Sequence, residues 1–254
     1  MKQFAASHTI AFEQTLWMSL RGCYCRRMNK DLTEIAFILD RSGSMSSVAP
    51  AAISGFNEFL REQQAAPGEA RLTLVLFDDE YLLPVDNIPV QKVVPLNSDT
   101  YVPRNTTALL DAIGQTIERL GQRLEQTPEP DRPGKVIVAI LTDGHENASK
   151  KFTWKEIAAK IRHQTQAYDW DFLFLGANQD AIATAANLNI SSANAATFAS
   201  DYVGTRTTQR AASRKASALR AKASGRVMDS DEEIAYAAPM SNLVEEEDRK
   251  ERGK

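Results

Sequence analysis

The sequence predicts an α/β fold: a doubly wound, mostly parallel sheet with helices on both faces. Short, almost continuously apolar runs alternate with stretches of helical period, and no internal repeat interrupts the alternation. Strands buried on both faces read as continuous apolar runs, and strand alternating with helix makes the neighbouring strands parallel.

The first run is Glu34-Ile35-Ala36-Phe37-Ile38-Leu39, and Leu72 to Phe77, Val136 to Leu141 and Phe172 to Leu175 repeat its character. Between them, Ile53, Phe56, Phe59 and Leu60 share one helical face, and Leu109, Leu110, Ile113, Ile117, Leu120 and Leu124 another. Trp154, Ile157, Ala158 and Ile161 mark a third helix. Pro84, Pro89 and Pro95 break the rhythm, so Tyr81 to Val94 is expected as an irregular antiparallel rim of the sheet. A short helix over Ala181 to Asn187 and a weak last strand at Ala196-Thr197-Phe198 complete one domain over residues 31–200.

Composition bounds the function. With 30 basic and 33 acidic side chains the formal charge is −3, which excludes a globally basic nucleic-acid binder. No apolar run reaches the roughly 18 residues that span a bilayer, and Ile10 to Leu20 is interrupted by Glu13 and Gln14. Neither nucleic acid nor membrane is therefore an expected partner. Cys23 and Cys25 are too close in sequence for an unstrained bridge, which favours a reducing, cytoplasmic setting.

Residues 1–30 read as an N-terminal extension, either disordered or ahead of the true start, and translation is expected to begin at Met28. At the other end, residues 205–226 carry seven basic and no acidic residues among many alanines, whereas 229–251 carry nine acidic and two basic. A basic, Ala-rich helix over 201–226 and a disordered acidic tail over 227–254 are expected. The sharper alternative folds the acidic tail back on the basic segment or sets the basic helix against an anionic partner.

The chemistry gathers at strand ends, where doubly wound sheets bind ligands. Asp40-Arg41-Ser42-Gly43-Ser44 follows the first strand, Thr142-Asp143-Gly144-His145-Glu146-Asn147 follows the strand ending at Leu141, and Asn105-Thr106-Thr107 opens a helix. Each piece alone is an ordinary turn or cap. Together their oxygens make a hard environment suited to Mg²⁺, or Mn²⁺, with waters completing the shell. Such an ion stays open to one more oxygen, which a carboxylate from a partner protein would supply.

Residues 32 to about 200 resemble a von Willebrand factor type A domain, and Asp40, Ser42, Ser44, Thr107 and Asp143 resemble its metal-ion-dependent adhesion site. The resemblance implies six strands with one antiparallel edge, Mg²⁺ as the usual ion, and ligand contact at the metal face. It also implies that Arg41, Met45, Tyr101, Arg104, His145 and Glu146 ring the metal and contact the partner. Where the family often has Gly-Gly-Thr, this chain has Asn105-Thr106-Thr107, so Thr106 competes with Thr107. Similar stand-alone bacterial or phage-type domains resemble cytosolic scaffold subunits that accompany ATPases, which implies a non-enzymatic binding module.

Two rivals stand beside that reading. A metal-dependent hydrolase or phosphatase would use Asp40 or Ser42 as nucleophile, but position 42 is Ser where an Asp-x-Asp phosphatase needs its general acid. No Gly-x-Ser-x-Gly elbow is present either. In the second rival the metal is structural and the charged C-terminal tail carries the interaction.

Overall fold

The computed structural model describes residues 28–177 and 181–253. Residues 1–27 of the expected N-terminal extension, the two cysteines among them, lie outside these, whereas Asn29 and Lys30, expected in that extension, already belong to the first strand.

Six strands form one sheet: β1 (Asn29–Asp40), β2 (Glu69–Phe77), β3 (Tyr81–Pro89), β4 (Pro133–Thr142), β5 (Asp171–Ala177) and β6 (Ala195–Phe198), in the order β3-β2-β1-β4-β5-β6. Only the β2–β3 pairing is antiparallel. The proline-bearing segment thus forms the edge, as expected, and register shifts within that pairing accommodate it. β1 sits at the centre because it is apolar on both faces, and Ile35 through Leu39 are fully buried.

Side chains alternate across β1 and feed two cores. Ile35, Phe37 and Leu39 pack with α1 (Ala49–Ala65), whose Phe56 and Phe59 meet Phe37 edge-on at 5.4 and 4.8 Å. Ala36 and Ile38 pack on the other face with α2 (Leu109–Gln126), α3 (Trp154–Tyr168) and α4 (Ala181–Asn187).

The C-terminal third corrects the expected boundaries. The segment expected as a basic helix outside the domain is α5 (Tyr202–Ser224), and it lies against α1 and the sheet with Ala211, Ala212, Ala216 and Ala218 buried. The segment expected to be a disordered acidic tail forms α6 (Ser230–Ala237) and α7 (Met240–Arg252). Met240, Leu243 and Val244 enter the same core as Phe37, because they recur at i, i+3 and i+4 on one face of α7.

The opposite charges then meet, which is the fold-back arrangement. Arg214 pairs with Glu247 at 2.7 Å, and Arg206 and Arg210 each bridge Glu58 and Glu251. Lys215 donates to the carbonyls of Ala235, Tyr236 and Ala238, closing the end of α6. Net charge along the sequence concealed this, because matched charges on facing helices cancel across space.

Candidate metal centre

The order of strands reverses at β1 and β4, so the loops after these two strands part at the carboxyl edge and leave a crevice. After β1 the chain enters a 3-10 turn over Gly43–Val48, whose Met45 and Val48 are buried. That anchoring leaves Ser44 exposed at the crevice, while Ser42 is 2% exposed. The backbone N–H of Gly43 donates to the carbonyl of Asn105 at 3.1 Å, and that of Arg104 to the carbonyl of Arg41 at 2.8 Å. The first and middle loops are thereby fastened side by side.

The five expected residues come together. Ser44 Oγ donates to Asp143 Oδ1 at 2.5 Å across the crevice, and the Ser42 and Ser44 hydroxyls lie 3.1 Å apart. Asp40 accepts from the Ser42 N–H at 2.6 Å and from Thr142 Oγ1 at 2.5 Å. A Cβ built on Gly144 would stand 2.6 Å from Thr107 Oγ1 and 3.4 Å from Asp40 Oδ2, so both oxygens converge beside that glycine. Thr107 is buried at the crevice and Thr106 is exposed.

Burial dominates the electrostatics. Desolvation pushes the Asp40 carboxyl up to about 6 against the opposing bonds from Thr142 and Ser42, and it also raises Asp143, against the bond from Ser44. Two carboxylates held in so dry a place gain from a cation. The donor set is two carboxylates and three hydroxyls, all oxygen, which fits a hard divalent ion. Among the described residues no group of three or more His, Cys, Asp or Glu could hold a metal, which accords with hydroxyls supplying most of this set.

Of the six residues expected to contact a partner, four serve other purposes. Met45 is fully buried in the core. Tyr101 is 1% exposed and donates its hydroxyl to the Asp40 carbonyl at 2.6 Å. Arg41 is buried against Asp78 at 3.0 Å. Glu146 turns its carboxylate onto the N–H groups of Leu110, Ala148 and Ser149, where it caps α2. His145 is exposed at the crevice, and Arg104 is partly exposed and paired with Asp78 and Glu80. A loop position in sequence does not reveal which way the side chain turns.

Three supporting residues were missed. Thr142 follows Ile140 by two along β4 and so faces the same side, a signal that could have found it. Asn147 accepts from the Thr107 N–H at 2.9 Å and donates its own N–H back to the Thr107 carbonyl at 3.0 Å. Ser200 reaches Asp143 Oδ2 at 3.5 Å from beyond β6, with no local motif to announce it.

Gly144→Ala tests this geometry without touching a donor atom. Its methyl would crowd Thr107 Oγ1 and Asp40, so Mg²⁺ affinity is expected to fall by roughly tenfold or more, as for ~1.4 kcal/mol. Isothermal titration would show that loss, and the same crowding is expected to cost about 1–3 kcal/mol of stability without metal.

Fold and site define a doubly wound α/β domain with an oxygen-only crevice at its switch point, the architecture that the resemblance to von Willebrand factor type A domains implies. No family model matches the sequence, and no curated protein does. Two structures of proximal thread matrix protein 1 from the mussel byssus share the fold, at 16% and 15% identity and a TM-score of 0.50 each. They match 73% and 77% of this chain and 46% and 47% of their own, so the chain spans about half the length of these proteins. A von Willebrand factor type A structure from Catenulispora acidiphila aligns at 13% identity and a TM-score of 0.49, covering 76% of this chain and 43% of its own. At such identities the likeness is one of fold.

Proposed function

We propose that the chain is a non-enzymatic protein-binding module that holds Mg²⁺, or Mn²⁺, through Asp40, Ser42, Ser44, Thr107 and Asp143 and docks a carboxylate from a partner protein there. The observation that carries this reading is the convergence of the five oxygens from three loops, closed by the Ser44–Asp143 bond. A bound divalent ion would supply an open coordination position for an Asp or Glu oxygen. The chain's own part is to orient the donors: Tyr101 and Thr142 fix Asp40, Asn147 fixes Thr107, and Ser200 steadies Asp143.

The Ser42 hydroxyl is bonded to Ser44 and to no histidine among the described residues, which favours a ligand over an activated nucleophile. Many charges of the C-terminal segment, Glu247 and Glu251 among them, are engaged in internal pairs, which disfavours a free tail as the docking element. No described helix is long and apolar enough to cross a membrane. The sequence holds two cysteines, at positions 23 and 25, in keeping with a scaffold or assembly role in a reducing cytoplasm.

Affinity capture from native lysate tests the reading, with the chain as bait in Mg²⁺, in EDTA, and as Asp143→Ala in Mg²⁺. A partner retained only in the first arm is the expected result. Equal retention in all three moves the function to another surface.

The raised Asp40 pKa gives a second test. In the metal-free chain the folded state holds this proton more tightly than the unfolded state, where the value is near 3.8. Its contribution to stability is therefore fully present below about 4 and falls as pH rises to about 6, by about 3 kcal/mol. Metal binding needs the ionised carboxylate. The Mg²⁺-induced rise in melting temperature is accordingly expected to be small at pH 5 and full at pH 7.5, and a rise independent of pH would remove Asp40 from the ligand set.

A further inference from the structure

Beside the candidate metal centre lies a cavity of about 420 Å³, formed where the end of β2, the start of β3 and the first turns of α2 meet. It adjoins the centre in the chain itself. Ala108, which lines it, follows the ligand Thr107, and the Ala108 N–H donates to the Asp78 carbonyl at 2.8 Å.

Its lining has two characters. Phe77, Leu82, Ala108 and Ala112 make one part apolar, and Asp79, Glu80 and Asp111 set three carboxylates there against the one ammonium of Lys151. Most of these charges are already used. Glu80 pairs with Arg104 and Arg41, Asp111 accepts from the N–H groups of Lys150, Lys151 and Phe152, and the Lys151 ammonium donates to Gln115 Oε1 at 2.8 Å. Asp79 is different: it is exposed, it accepts from the Asn105 side chain at 2.9 Å, and among the described residues it has no ion-pair partner in direct contact, the Arg104 charge acting on it only from a distance.

We infer that this cavity is a subsite for a Lys or Arg side chain on the same partner segment that gives its carboxylate to the metal. Such a side chain combines an aliphatic stem, which suits Phe77, Leu82 and Ala112, with a cationic head, which suits Asp79. The exposed Asp79 carboxylate disfavours an acidic occupant. The inference rests on the proposed docking function and names the chemistry of its partner: an acidic residue with a basic one close by in space.

The test uses a displayed library of 12-residue peptides, each with one fixed Asp and randomised flanks, selected on the full chain in Mg²⁺ and in EDTA. Peptides recovered only in Mg²⁺ are expected to carry Lys or Arg at a preferred distance from the Asp, enriched about fivefold over the input, as an exposed charge pair warrants. Asp79→Asn, which retains an acceptor for Asn105, should return that enrichment to input level while Mg²⁺-dependent recovery persists. Leu82→Lys, on an exposed edge position, should do the same by placing a cation in the cavity. Mg²⁺-dependent recovery without basic enrichment, or with enrichment unchanged in both variants, overturns the subsite and leaves the metal reading standing. Equal recovery with and without Mg²⁺ overturns both.

Discussion

Replacing Asp143 with alanine is expected to erase the stabilisation that the proposed Mg²⁺ centre would give the chain. At about 100 times Kd, a ligand that binds only the folded state stabilises it by about 2.7 kcal/mol, a rise of roughly 5–10 °C in melting temperature for a domain of this size. Asp143 supplies one of the two charges of the donor set, and Ser44 bonds to it across the crevice. Its loss should weaken Mg²⁺ by at least about 100-fold, the order of 3 kcal/mol. Thr107→Ala should fall between parent and Asp143→Ala, because a neutral donor is lost. Thr106→Ala should match the parent, since its side chain is exposed rather than turned into the crevice. Thermal melts with Mg²⁺ and with EDTA read all three, and a full metal-induced rise in Asp143→Ala would remove this residue from the centre.

Truncating Leu243 to alanine is expected to destabilise the chain by about 2–4 kcal/mol, although Leu243 lies next to a strongly acidic stretch. The side chain is 1% exposed and shares a core with Met240 and Val244, packed beneath α5. A disordered tail would tolerate the change without cost. Denaturant unfolding distinguishes the two, and Glu245→Ala, at an exposed position of the same helix, serves as a control expected to shift stability by less than about 0.5 kcal/mol. An unchanged midpoint in Leu243→Ala would contradict the packing of α7 on the domain.

What the sequence made legible follows from physical range. The sheet could be read because strands buried on both faces carry continuous apolar runs, as Ile35 to Leu39 do, and the edge because three prolines interrupt it. Asp40, Ser42 and Ser44 could be read because their spacing is local, and Thr107 and Asp143 because each stands at a helix start or strand end. The C-terminal helices were hidden by their composition. α5 buries alanines between arginines, so each residue contributes little apolar signal, and Arg206, Arg210 and Arg214 find carboxylates 33 to 45 residues later, besides Glu58 far earlier in the chain. Met45 and Tyr101 were misread for a related reason, since their place in a loop gave the neighbourhood of the metal but not the inward direction of the side chain.

The most direct measurement is a Mn²⁺ titration followed by electron paramagnetic resonance, in which free Mn²⁺ gives a sharp signal that binding broadens. The expected result is one Mn²⁺ held per chain, displaced by Mg²⁺ and absent in Asp143→Ala. A parent chain that leaves all Mn²⁺ free, or an Asp143→Ala chain that holds it as tightly as the parent, would contradict a metal centre built from these five residues.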